Sequence, residues 1–340
     1  MEALEFSLLN DHQRDFPLCA RPYREIAVNL GVDETRVLRA LAALQARGVV
    51  SRVGATFAPG RIGAATLAAL RVPPGRIAEV AAMVSGYPEV NHNYERDHAY
   101  NLWFVVTAPA SPRVAEVVAD IERRAHCGPA LNLPMVQAFH VDLGFDLARP
   151  HEPLPVRQPS RADPYTLAPE AAQVIAALQH GLAIATRPYA ELAARVRSDE
   201  SRVITTLATL ARDRVISRLG VIVRHRAVGY LANAMTVWDV PESDLGRAGT
   251  RLAAAPGVAL CYERRRALPG WPYNLYCMLY GTERGEVVRR TADLSAECGL
   301  ARCRRELLFS GRCFGQRAAR YVAEESHGRD RPAYRELAPG

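Results

Sequence analysis

Hydrophobic spacing switches along the chain between helical and strand periods, and the switches mark out its elements. Ile26, Ala27 and Leu30 fall on one helical face that stops at Gly31, which predicts a short helix. In Val32-Asp33-Glu34-Thr35 the aspartate stands where an N-cap opens a second helix. That helix presents Val37, Leu38, Leu41 and Leu44 on one face and ends at Gly48. The run VVSRVGATF after it is strand-like. Helix, short turn, helix and strand together predict a winged helix-turn-helix. The chain then reads strand (65–72), helix (76–85), strand (90–96), strand (100–107), helix (112–126) and strand (136–143). That is the order of a ferredoxin-like βαββαβ sandwich.

The whole unit is written twice. RPYREIAVNLGVDETRVLRALAALQARGVVSRVG, starting at Arg21, matches RPYAELAARVRSDESRVITTLATLARDRVISRLG, starting at Arg187, at a constant offset of 166. Further on, YPEVNHNYERDHAYNLWFVVT matches APGVALCYERRRALPGWPYNLYCMLYG. There the offset grows from 168 (Tyr94 to Tyr262) to 173 (Tyr100 to Tyr273). A proline-rich stretch with little periodicity separates the copies and reads as a linker. The expected fold class is α+β, two tandem copies of a winged helix-turn-helix plus a ferredoxin-like module. The expected boundaries are 1–60 and 61–147 for the first copy, 148–168 for the linker, 169–226 and 227–325 for the second copy, and 326–340 for a C-terminal tail.

Composition narrows the options. A chain of 340 residues suffices for about two domains with ordinary cores. It has no run of 18 apolar residues, so no transmembrane helix is expected, and MEALEFSLLNDHQRD lacks the basic start of a signal peptide. The expected location is the cytoplasm. All 43 basic residues are arginine, which excludes lysine Schiff-base chemistry and makes every side-chain cation a planar fork suited to carboxylate or phosphate. The net charge of +7 fits either nucleic acid or a polyanionic small molecule. The seven cysteines, odd in number and without a CxxC, read as reduced and mostly buried.

The chemistry concentrates in residues 90–104, VNHNYERDHAYNLWF. With a period of two, His92, Tyr94, Arg96 and His98 share one face. Burying such groups unpaired costs about 1–3 kcal/mol for each neutral one, so the face is either solvated or lines a polar pocket. Arg96–Ala99 also reads as a hairpin turn, in which case His98 leaves the register. An echo, LCYERRRALPGWPYNLYCMLY, begins at Leu260.

A winged helix-turn-helix followed by βαββαβ resembles the Lrp/AsnC architecture, and HNYERDHAYNLWF and CYERRRALPGWPYNLYCM resemble the siroheme decarboxylases. The first copy is similar to one subunit type of that enzyme and the second copy to the other, a fused form like those of heme d1 biosynthesis. The resemblance covers nearly all the chain except the linker and the residues after about Glu324. It implies loss of carbon dioxide from two acetate side chains of siroheme, giving 12,18-didecarboxysiroheme, a step that the alternative heme pathway shares. It implies no added cofactor or resident metal, because the iron tetrapyrrole is itself the substrate.

The residues suit that chemistry. Arg96, Arg264, Arg265 and Arg266 are candidates for the substrate's carboxylates. Tyr94, Tyr100, Tyr262, Trp271 and Tyr273 are candidate walls for a flat macrocycle. Decarboxylation leaves an electron pair on carbon and needs an acid that titrates near working pH, which favours His92 and His98. One would donate the proton, and either would ligate the iron or hold the scissile carboxylate. Asn101 and Asn274 recur in the YNL motif, either contacting substrate or fixing strand–loop geometry. The second copy has Leu260 for His92 and Trp271 for His98, so one competent site per chain is expected, formed within one chain or across a homodimer. His126, His140, His151, His180 and His225 are isolated and read as surface or capping residues.

The rival reading is an Lrp/AsnC-type DNA-binding transcriptional regulator, with or without a response to tetrapyrroles. A non-catalytic heme-binding scaffold is a third. DNA recognition needs basic side chains at the start of the second helix, and this chain has Asp33-Glu34 and Asp199-Glu200 there. A regulator also has no use for the His-Tyr-Arg face.

Overall fold

A computed structural model describes residues 2–141, 144, 147–148 and 163–322. The first half runs α1 (Ala3–Asn10), α2 (Pro22–Asn29), α3 (Glu34–Ala46), β1 (Val50–Phe57), β2 (Ala64–Leu70), α4 (Ile77–Ser85), β3 (Val90–Arg96), β4 (Leu102–Ala108), α5 (Ser111–Ala125) and β5 (Leu131–Val141). The second half repeats it with α6 (Pro169–Leu178), α7 (Pro188–Val196), α8 (Glu200–Arg212), β6 (Ile216–Val223), β7 (Ala232–Trp238), α9 (Glu242–Ala253), β8 (Val258–Arg264), β9 (Leu275–Gly281), α10 (Arg284–Glu297) and β10 (Arg305–Gln316). The stretch read as a C-terminal tail, and most of the linker with His151, lie outside the described residues.

The two helical units form one body. Proline at the first position preorganises both α2 and α7, and Gly31 takes φ +65° after α2, where a side chain would be strained. Asp33 occupies the N-cap position of α3 but its side chain makes no capping bond. The first turn is tied instead by an Arg21–Glu34 ion pair, repeated as Arg187–Glu200 in the second copy. Strands β1 and β6 pair antiparallel, with Gly54 opposite Gly220. Tyr23 donates to the Ala183 carbonyl (2.9 Å) and Tyr189, its counterpart, to the Pro17 carbonyl (2.8 Å). A single core runs through both units and includes Ile26, Leu41, Leu44, Ile175, Leu192 and Leu207. Each such side chain contributes about 1.5–3 kcal/mol, well above an exposed ion pair.

The eight remaining strands close into a barrel in the order β10-β3-β4-β2-β5-β8-β9-β7. Each half supplies a ferredoxin-like sheet, and its last strand leaves to pair with the other half. Thus β5 pairs first with β2 and then with β8, and β10 with β7 and then β3. The exchange removes every open sheet edge from the barrel. The pattern reading began the first of these strands at 136. It begins at Leu131, and Pro134 sits within it opposite Thr66, where the strand changes partners from β2 to β8. The helices cover the outside. Gly249 of α9 lies directly against the Phe139 ring of β5, so the halves interlock there. Inside the barrel lie Leu67, Trp103, Leu133, Met235, Tyr262, Trp271, Tyr276 and Leu308.

Candidate functional site

The barrel has two unlike ends. At the hairpin end, the β8–β9 connection has ten residues (265–274) against five (97–101) for β3–β4. The longer loop folds Trp271 inward to 1% exposure. Its indole donates to the Tyr276 hydroxyl (2.7 Å), and its ring meets Tyr273, Trp103, His98 and Tyr100 at centroid separations of 4.9, 5.3, 5.6 and 5.7 Å. Tyr273 donates to Glu306 (3.1 Å). This end is plugged by aromatic rings.

His98 belongs to that plug. Strand β3 ends at Arg96, and His98 turns away from the register of His92, Tyr94 and Arg96 to accept the Tyr100 amide on Nδ1 (2.9 Å). Of the two readings from the sequence, the hairpin turn at 96–99 is the one that holds, and the face keeps three residues, His92, Tyr94 and Arg96. His92 and His98 stand at opposite ends of the strand, since residues 92–96 alone span about 13 Å.

The other end of the barrel faces the β1–β6 ribbon, with Arg52 of β1 near His92 and Arg218 of β6 near Tyr280. His92 and Tyr94 stack with centroids 6.2 Å apart. Burial pushes the His92 imidazole down to about 4, and the charge of Arg52 on β1 adds to the effect. The imidazole is therefore neutral near pH 7. The Tyr94 phenol is pushed up by burial and then by Cys313, its cross-strand partner.

Arg96 is 7% exposed and donates through Nη1 to the Leu308 carbonyl (2.8 Å) and Ser310 Oγ (2.9 Å). Burial lowers its pKa, and the Tyr262, Tyr94 and Tyr280 phenols around it oppose that. Arg264, its counterpart, is equally buried, donates to the Leu133 carbonyl (2.6 Å) and lies 4.6 Å over the Tyr262 ring. Among the described residues neither guanidinium has a carboxylate partner, and neither Nε has any hydrogen bond.

The other candidates separate from this group. Arg266 is committed to Asp239 (2.9 Å), Glu242 and the carbonyls of Val240 (2.6 Å) and Pro272 (2.7 Å), so it latches the long loop and is not available as the expected anion binder. Arg265 is exposed, with its amide on the Pro134 carbonyl. The Asn101 side chain accepts from the Val72 amide and donates to the Val72 carbonyl, both at 2.8 Å. Asn274 does the same with Val240, both at 2.9 Å. Of the two readings for these asparagines, the geometry is that of strand–loop fixation. Tyr100 lies under Arg71, at 4.3 Å, in the hairpin-end cluster.

Two histidines read as surface or capping residues are neither. His140 is 2% exposed, and His225 packs against Tyr280 with ring centroids 5.0 Å apart. Tyr280 itself was missed. No spacing signal marks it, because it meets Arg96 only through barrel closure. Of the seven cysteines, Cys261, Cys277 and Cys298 are buried, three are intermediate and Cys313 is exposed; all are free thiols.

Two buried cations with no carboxylate partner among the described residues, phenols around them and a neutral imidazole on the same strand as Arg96 suit a polycarboxylate with a flat body. Comparison with known proteins agrees. An AsnC-like ligand binding domain matches residues 61–140 and 227–315, and a siroheme decarboxylase NirDL-like HTH domain matches residues 5–50 and 172–216. The siroheme decarboxylase NirDL subunit of Paracoccus denitrificans is 44% identical over 321 residues, covering 94% of this chain and 97% of its own. The crystal structure of the siroheme decarboxylase NirDL superposes with a TM-score of 0.68 at 28% identity over 94% of each chain. Its co-complex with an iron-uroporphyrin III analogue superposes at 0.66 with 27% identity and the same coverage.

Proposed function

The chain belongs to the siroheme decarboxylase family, and on that premise we propose that it is a carboxy-lyase that converts siroheme to 12,18-didecarboxysiroheme. The observation that carries the reading is the pair of buried guanidiniums of Arg96 and Arg264, which have no carboxylate partner among the described residues. An unpaired buried cation costs several kcal/mol, and a carboxylate-bearing substrate restores the missing partner. The aromatic lining of Tyr94, Tyr262 and Tyr276 suits the macrocycle.

In each half-reaction the bond between methylene and carboxylate breaks, carbon dioxide departs, and the electron pair passes into the macrocycle. A proton delivered to the methylene carbon completes the methyl group, with no net redox change. His92, at the end of the barrel that faces the β1–β6 ribbon, is the donor. Burial and Arg52 hold its pKa low, and a substrate carboxylate beside it offsets Arg52 and raises it toward working pH. His98 in the hairpin plug positions Tyr100 and Trp271. The site is composite within one chain, since Arg96 comes from the first half and Tyr262 and Arg264 from the second. The reaction serves heme d1 or alternative heme synthesis, in the cytoplasm, by a homodimer of whole chains. No helix among the described residues is long and apolar enough to cross a membrane.

The regulator reading is weaker, because Glu34 and Glu200 occupy the first turns of α3 and α8. Anaerobic incubation of the protein with siroheme, followed by mass spectrometry of the tetrapyrrole, tests the proposal. Two successive losses of carbon dioxide are expected. Siroheme that binds and stays unchanged contradicts it.

A further inference from the structure

The pseudo-two-fold axis makes each barrel position comparable with its counterpart, and at the end facing the β1–β6 ribbon the two half-sites differ consistently. One half-site surrounds Tyr94 and Arg96, the other Tyr262 and Arg264. His92 in the first corresponds to Leu260 in the second. Cys313, opposite Tyr94, corresponds to Ala138, opposite Tyr262. Tyr280, at the end of β9, corresponds to Thr107 at the end of β4, and its cross-strand partner Asn233 to Ala65. His225 corresponds to Pro59 at the offset of 166. Hydrogen-bonding or titratable groups thus accumulate around Arg96, and smaller or apolar residues replace them around Arg264.

Three of these residues form a connected unit. Strand alternation puts Asn233 and Tyr280 on the face that carries Met235 and Tyr276, hence inside the barrel. The Asn233 amide nitrogen lies 2.7 Å from His225 Nε2, which makes that nitrogen the acceptor and leaves the ring proton on Nδ1. Asn233 is 5% exposed and its Oδ1 has no partner among the described residues. The His225 ring stands against Tyr280 at 5.0 Å, inclined by 63°. Arg226 next to it donates to the Ser310 (3.0 Å) and Gly311 (2.7 Å) carbonyls. Ser310 is the cross-strand partner of Arg96 and accepts from its guanidinium, so the His225 segment is fastened to the strand that holds Arg96.

We propose that Tyr280 is a substrate-binding residue of the half-site around Arg96, that His225 and Asn233 position it, and that the half-site around Arg264 binds substrate without performing the chemistry. The phenol hydroxyl supplies a neutral donor for a substrate carboxylate beside the Arg96 cation. Burial pushes the Tyr280 pKa up and keeps that proton in place, while Arg96 opposes the rise. Burial, then Arg226, brings His225 down to about 4, so it holds Tyr280 as a neutral ring and adds no charge.

The inference rests on the decarboxylase reading, and one set of measurements separates the two. Wild type, Tyr280→Phe, His225→Gln and the opposite-half control Thr107→Ser are titrated with siroheme by absorbance and assayed anaerobically by mass spectrometry. Tyr280→Phe is expected to bind siroheme about tenfold more weakly, the loss of roughly one hydrogen bond to a charged group. His225→Gln is expected to raise KM with a smaller change in kcat and no shift in the pH profile. Thr107→Ser is expected to match wild type. A wild type that binds siroheme without converting it overturns the decarboxylase reading, and the titration still decides on Tyr280. Converting wild type with Tyr280→Phe and His225→Gln unchanged in affinity and KM overturns the inference alone. So does a loss of affinity in Thr107→Ser equal to that in Tyr280→Phe.

Discussion

Arg96 and Arg264 occupy equivalent places in the two halves, and each donates its Nη1 to the last strand contributed by the other half. Arg96 bonds the Leu308 carbonyl at 2.8 Å and Arg264 the Leu133 carbonyl at 2.6 Å. The bond joins the halves where the exchanged strand passes, yet it leaves most of each guanidinium's donors for something else. Replacing Arg96 by methionine removes a buried cation with no carboxylate partner among the described residues, which stabilises, and its bonds to Leu308 and Ser310, which destabilises, so the free protein is expected to change stability by no more than about 1 kcal/mol. Siroheme affinity is expected to fall by tenfold to a hundredfold, about 1.5–3 kcal/mol for a charge-assisted bond. Thermal unfolding and absorbance titration measure the two. A variant that unfolds readily and binds normally would mark Arg96 as structural.

The asparagines of the YNL motif behave oppositely. Asn274→Ala strips both partners from the Val240 backbone and is expected to cost about 2–3 kcal/mol of stability, with little effect on siroheme affinity in the folded fraction. Urea unfolding with titration of the same sample distinguishes this from substrate contact.

Helix α9 carries a paired test of how the halves interlock. A Cβ at Gly249 meets the Phe139 ring, whereas one at Gly246 meets nothing within 4 Å. Gly249→Ala is expected to destabilise by about 1–3 kcal/mol through overpacking. Gly246→Ala is expected to stabilise by about 0.5–1 kcal/mol as an exposed helical glycine. Equal effects in chemical denaturation would remove the interlock.

His92 and His225 are both held near a pKa of about 4, chiefly by burial, against an ordinary 6.5. The unfolded chain therefore binds more protons than the folded one between those values. Stability from these groups is full above about pH 6.5 and is lost as pH falls toward 4. Unfolding temperature is expected to drop across that window, and less steeply in His92→Leu. A substrate carboxylate beside His92 raises its pKa, so siroheme binding near neutral pH is expected to take up protons, which calorimetry in buffers of different ionisation enthalpy detects.

Local pattern revealed most of the fold. Helical spacing around Leu41 and Leu207, and period-two alternation in 90–96, are set by which face each element buries, and the constant offset exposed the repeat. The site was legible where its residues sit on one strand, as His92, Tyr94 and Arg96 do. It was not legible where barrel closure brings strands together, because β9 and β3 approach only after β10 has crossed between halves, which is how Tyr280 reaches Arg96. Strand period alone would keep His98 on the β3 face, and the alternative hairpin reading of 96–99 is the one that holds, since the chain turns after Arg96 and the Tyr100 amide captures the imidazole. Arg264, Arg265 and Arg266 looked alike in sequence. Burial, exposure and an acidic pair of partners give them three different roles.

The most direct test is the anaerobic siroheme reaction run with His92→Gln and His98→Ala beside wild type, with the tetrapyrrole bound in each. His92→Gln is expected to retain siroheme while turnover falls by about a hundredfold or more, the scale of a lost general acid. His98→Ala is expected to lose stability but keep its rate in the folded fraction. Undiminished turnover in His92→Gln, with abolished turnover in a fully folded His98→Ala, would contradict the account and move the chemistry to the hairpin end of the barrel.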